Sequence, residues 1–227
     1  MKKYEFTGET KVVSGRTLRR IKAVVKFGIV EVGELGGWIE KEENLSHGGD
    51  AWVCGDARVY GDAWVCGNAR VYGNARVYGD AWVYGNAWVC GDAEVYGDAE
   101  VYGDARVCGD ARVCGDAEVY GDAEVYGDAW VYGNARVYGN ARVCGNARVY
   151  RSTHLLVIGP IGSRSAYTTF YRDKDREITV RCGCFLGKLD KFLEKVTQTH
   201  GDSKHALVYK MAVEVAKAHI DLSAEEE

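Results

Sequence analysis

GDARVYGDAWVCGNARVYGNARVYGDAWVYGNAWVCGDAEVYGDAEVY, residues Gly55–Tyr102, repeats one hexapeptide eight times. The unit is glycine, Asp or Asn, alanine, a variable residue, valine, then Tyr or Cys. Glycine recurs every sixth position from Gly49 to Gly145, which makes seventeen hexads ending at Tyr150. A helix tolerates this poorly, since each interior glycine costs about 1 kcal/mol relative to alanine. Ala-x-Val-x alternates, so Ala and Val share one face of a short strand and their neighbours the other. Gly-Asp or Gly-Asn then supplies turn chemistry. Short strand and short turn in constant phase make a chain that coils on itself.

The expected fold is an all-β solenoid with a small C-terminal α+β cap. Ala51, Ala57, Val53, Val59 and their successors fill the narrow core. The hexad resembles that of the left-handed parallel β-helix, which implies three hexads per coil; with strands about 4.8 Å apart, the rod is then roughly 27 Å long. Three segments follow: an N-terminal β cap with an irregular first coil (1–48), the hexapeptide rod (49–150) and a β-then-α module (151–227). In the first segment, Lys3–Phe6, Thr17–Phe27 and Ile29–Val32 read as strands. Ile39 and Leu45 read as imperfect early hexads, with His47-Gly48 as a small insertion. In the last, LLVIGPIG, AYTTFYRD and REITVRCGCF read as strands. Leu189–Thr199 reads as a helix, and Asp202-Ser203 offers a cap for a second, Lys204–His219, with Val208, Met211, Ala212 and Val215 on its core face.

The 227 residues carry a net charge of −4, unevenly spread. Residues 1–48 are net +2, the rod −7 and the last segment +1. An acidic rod is not a direct nucleic-acid binder. No apolar h-region opens the chain and no apolar run reaches the length that spans a membrane, so a cytoplasmic protein of the host cell is expected. Six of eight cysteines stand where tyrosine otherwise does. That substitution pattern reads as surface tolerance in a reduced protein rather than a disulfide framework.

At a period of eighteen, the outward residues sort into columns. After valine, one column reads Tyr60, Tyr78, Tyr96, Cys114, Tyr132, Tyr150; a second reads Cys66, Tyr84, Tyr102, Tyr120, Tyr138; a third reads Cys54, Tyr72, Cys90, Cys108, Tyr126, Cys144. Before valine, two columns alternate in sign (Arg76, Glu94, Arg112 and Arg106, Glu124, Arg142). The third reads Trp64, Trp82, Glu100, Glu118, Arg136. Stacked glutamates repel one another, which singles out this column, with the ladder Tyr84, Tyr102 and Tyr120 beside it, as the partner-binding face. Aspartates also stack (Asp62, Asp80, Asp98, Asp116), but Asn replaces Asp freely at that site, so turn geometry rather than a metal accounts for them.

Residues 36–53, GGWIEKEENLSHGGDAWV, resemble the opening segment of YdcK-type hexapeptide-repeat proteins. The tail 181–212, RCGCFLGKLDKFLEKVTQTHGDSKHALVYKMA, resembles the C-terminal module of uncharacterised proteins from prophages and mobile elements of Gram-positive gut bacteria. The resemblance implies a left-handed parallel β-helix; a right-handed solenoid is the rival. It brings no catalytic residues to carry over, and a fold does not assign a function. A phage setting implies a non-catalytic protein that binds and inhibits a host defence enzyme handling nucleic acid, of anti-CRISPR or anti-restriction type, even as a DNA mimic. The alternatives are a hexapeptide acyltransferase-like enzyme and a self-assembling structural or virion protein. Transferases of this fold need a histidine base, whereas His47, His154, His200, His205 and His219 all lie outside 49–150 and the rod has no inserted loop. Cys182-Gly183-Cys184 is too short a pair for a zinc site. No enzyme activity, cofactor or metal is therefore expected, and a homodimer through the C-terminal module is left open.

Overall fold

The computed structural model describes residues 1–223, so residues 224–227 of the expected last segment lie outside the described residues. Residues 49–150 wind into about six coils of a parallel β-solenoid with three faces. Register is set at eighteen residues: Val59 pairs with Val77, Val77 with Val95, Val95 with Val113 and Val113 with Val131. The inward alanines and valines are fully buried and form one continuous core. Between coils, the amide after each alanine donates to an alanine carbonyl one coil on, as from Trp52 to Ala69 at 2.9 Å.

The spacing is irregular at the start of the rod. Ile39 pairs with Val59 and Leu45 with Val65, twenty residues on in each case. Val53 already pairs with Val71 at eighteen, so two extra residues lie between Leu45 and Val53, where His47-Gly48 stand. The first full coil has only this irregular turn before it to pair its alanine carbonyls, and unpaired buried carbonyls are costly. The chain supplies substitutes. Trp38 N–H donates to Ala57 O (2.9 Å), Asn44 Nδ2 to Ala63 O (2.8 Å) and Lys3 Nζ to Ala51 O (2.7 Å).

The hairpin of Tyr4–Val13 and Arg16–Ala23, followed by Leu35–Ile39, extends the first face. Ile29–Val32 is not a strand: Phe27 and Val30 close a turn through a two-way backbone pair, leaving Ile29 and Val32 exposed. At the far end, four antiparallel strands, Leu155–Ile161, Ala166–Arg172, Ile178–Cys182 and Phe185–Lys188, form a meander. The expected single run REITVRCGCF is a hairpin that turns at Gly183. The Ala166–Arg172 strand lies on the last coil: Thr169 Oγ1 accepts from Arg142 N (3.0 Å) and Tyr171 donates to Cys144 O (3.0 Å).

Two helices cover the meander, α1 (Leu189–His200) and α2 (Lys204–His219), and the Ser203 hydroxyl caps α2 by accepting from Ala206 N. The face of α2 differs from expectation. Ala206, Tyr209, Ala212, Val213 and Ala216 are buried, whereas Met211 and Val215 face solvent and Val208 is only half-buried. Small alanines let the helix approach the meander closely, and the bulkier aliphatics turn outward.

Candidate partner-binding face

The Trp/Glu column lies on the five-stranded face, one residue per coil. Trp64 pairs with Trp82, Trp82 with Glu100, Glu100 with Glu118 and Glu118 with Arg136. Trp64 and Trp82 meet edge to face with centroids 5.6 Å apart and are 38% and 45% exposed. Other tryptophans of the rod are covered. Trp88 lies between Arg70 and Arg106, and Trp130 between Arg112 and Arg148 at 4.8 and 4.6 Å. Trp52 is buried against Tyr4 and Phe27. The column's composition explains the difference: Trp64 and Trp82 have each other and a glutamate for neighbours, and among the described residues no arginine lies over them.

Beside this column Tyr84, Tyr102 and Tyr120 stack nearly parallel at 4.9 Å, and Tyr138 continues the ladder at 5.6 Å. The two adjacent glutamates are held by donors. Tyr84 donates to Glu100 Oε2 at 2.9 Å, Tyr102 to Glu118 Oε2 at 3.0 Å, and Arg136 Nε to Glu118 Oε1 at 3.0 Å. Partial burial, then these carboxylates, push both phenols up, Tyr102 to about 12. Both hydroxyls therefore stay protonated donors at neutral pH. The donors offset the repulsion of like charges one strand apart. The seven residues singled out from the sequence, Trp64, Trp82, Glu100, Glu118, Tyr84, Tyr102 and Tyr120, thus form one continuous surface. Sequence columns alone missed the Tyr-to-Glu bonds, which cross between columns at a separation of sixteen residues. Near the C-terminal end the face opens into a groove of about 540 Å³, lined by Glu118, Arg136, Arg151 and Ser152 among others.

The sign-alternating columns pair as expected, Arg76 with Glu94 at 2.9 Å and Arg142 with Glu124 at 3.4 Å. The cysteine column does not behave as a simple tyrosine substitute. Cys90 and Cys108 occupy consecutive coils with Cα atoms 4.6 Å apart and are joined by a disulfide. The expectation of unlinked surface thiols fails there because two cysteines in succession meet across one strand spacing.

The histidines lie with the caps. His47 stacks on Tyr4 at 4.3 Å, and its Nδ1 accepts from Lys3 N. His154 is buried beyond the last coil, its Nδ1 accepting from Tyr150 N. Burial, ahead of the Arg172 charge, lowers it to about 4. His200 lies 6.0 Å from His205 and stacks on Tyr209. Cys182 accepts from Thr168 Oγ1, and Cys184 is exposed. Among the described residues, no group of three or more His, Cys, Asp or Glu is placed to hold a metal. No helix among them is long and apolar enough to cross a membrane.

Residues 51–67, 63–77, 69–85, 75–91, 129–142 and 141–155 match the YdcK β-solenoid repeat. No curated protein matches the chain.

Proposed function

We propose that this YdcK-type repeat protein is a non-catalytic interaction protein, whose rod holds the Trp64–Trp82 face rigid for one host protein. The observation that carries the reading is the exposed tryptophan pair, continuous with a tyrosine ladder and two anchored glutamates. Contiguous exposed aromatic area marks interaction sites, and Trp and Tyr dominate binding hot spots. A stiff scaffold limits the ordering cost of association. The strict hexad favours a left-handed coil. The phage or prophage setting rests on the resemblance of residues 36–53 and 181–212. In that setting the partner is a cytoplasmic defence enzyme that handles nucleic acid, since an acidic rod suits a cleft built for phosphate.

The test is capture from a bacterial lysate by the full chain and by the double variant Trp64→Ala/Trp82→Ala. A hot-spot tryptophan is worth about 2 kcal/mol or more, so the double variant should bind its partner at least roughly 30-fold more weakly with unchanged thermal unfolding. Equal capture by both proteins removes the face from the interaction. Acyl-CoA binding that is lost on changing His47 or His154 would replace the reading with a transferase.

A further inference from the structure

Helix α2 has two apolar faces and uses only one within its own module. Ala206, Tyr209, Ala212, Val213 and Ala216 pack inward with Phe192 and Val196 of α1 and Phe170 and Val180 of the meander. Outward, Leu207, Met211 and Val215 recur at intervals of four and are 58%, 60% and 51% exposed. With Leu193 of α1, Met211 and Val215 line a shallow apolar groove flanked by Lys210 and Glu214. An amphipathic helix with nothing further to cover carries polar residues on its outer face. Here three large aliphatics form a stripe at the spacing that meets another helix.

We infer that this stripe seats a second copy of the chain, with the two α2 helices antiparallel about a two-fold axis near Met211. The flanking charges favour a copy over a foreign partner. Lys210 and Glu214 are exposed, opposite in sign, one turn apart and on the same side of the stripe. An antiparallel two-fold brings the same flank of both helices together. Leu207 then lies near the partner's Val215, and Met211 meets the partner's Met211. Lys210 reaches the partner's Glu214, and symmetry makes that pair twice. A self-complementary patch of this kind defines an isologous interface. Glu214 also pairs with Lys217 of its own helix at 2.8 Å; both groups are exposed, so the carboxylate remains open to a second cation. The dimer carries two rods, which multiplies apparent affinity for any target present in more than one copy.

Sedimentation or light scattering of the full chain over a concentration series tests this. The native chain should double its mass as concentration rises, and Met211→Glu should hold it at monomer mass with an unchanged melting curve. Lys210→Glu alone and Glu214→Lys alone should each weaken association roughly tenfold, about 1.4 kcal/mol, and the double swap should restore it. A native chain that stays monomeric throughout overturns the inference, even if the stripe captures some other protein. So does a dimer that survives Met211→Glu, or a double swap no better than its single changes.

Discussion

Two glycine-to-alanine changes separate the backbone cost of the corner from the cost of coil stacking. Gly91 and Gly139 share a left-handed conformation, with φ of +70° and +61°. Either alanine loses about 1–2 kcal/mol to that conformation, offset in part by a stiffer unfolded chain. Their surroundings differ. A Cβ on Gly91 would lie 2.9 Å from Gly109 N and 3.1 Å from Gly109 O, backbone atoms of the next coil that cannot swing aside. A Cβ on Gly139, at the last turn of the rod, meets nothing within 4 Å. Overpacking adds about 1–3 kcal/mol at Gly91 alone. In a chain of this size each kcal/mol moves the melting temperature by about 2–4 °C. Gly91→Ala should therefore melt clearly below Gly139→Ala, read by circular dichroism on both variants and the native chain. Equal losses would refute the idea that coil-to-coil contact demands glycine at the corners, and would leave φ alone as the cause.

Closing an eighteen-residue loop, the Cys90–Cys108 link is worth about 3 kcal/mol in chain entropy. Reductant should lower the melting temperature of the native chain and leave Cys90→Ser/Cys108→Ser unmoved; equal sensitivity in both would show that the link contributes nothing. His154 makes the C-terminal cap sensitive to acid. Its folded-state value of about 4 lies below the unfolded 6.5, so the unfolded chain takes up the proton first as pH falls. Its contribution is complete above about pH 6.5 and is lost towards pH 4, by roughly 3 kcal/mol in all. His154→Asn, which keeps an acceptor for Tyr150 N, should flatten that part of the stability profile; an unchanged slope would assign the acid sensitivity to other groups.

The solenoid was legible because its core is monotonous. Ala and Val every six residues are all buried only when the chain coils on itself, and even the two-residue irregularity at His47-Gly48 shows in the spacing of Ile39, Leu45 and Val53. The face containing Trp64 and Trp82 became visible once the sequence was taken at eighteen. What escaped depends on contacts between columns or on choices among equivalent faces. Tyr84 and Glu100 occupy different columns, and only the coil geometry brings hydroxyl to carboxylate. Apolar residues surround α2, so periodicity alone could not decide between the Ala206–Ala216 side and the Met211 side; alanine's small size decided it. Ile29–Val32 has strand composition, but Phe27 and Val30 fold it into a turn against the first coil.

The substitute donors at the start of the rod bear on how this chain finds its register. The core has a period of six, whereas the outer surface has a period of eighteen. Sliding one coil by a single hexad leaves every alanine and valine in an equivalent site, yet moves every Trp, Glu and Tyr to a different face. The interior therefore tolerates many mis-wound rods of nearly equal burial. Lys3 Nζ gathers Ala51 O with Gly48 O and Gly49 O, Asn44 Nδ2 bridges Gly61 O and Ala63 O, and Trp38 N–H pairs with Ala57 O. That fit gives winding a fixed zero, from which coils are counted. An inserted block of eighteen residues would lengthen the rod and keep its faces intact. An inserted block of six would leave the core unchanged and split the binding face between two sides.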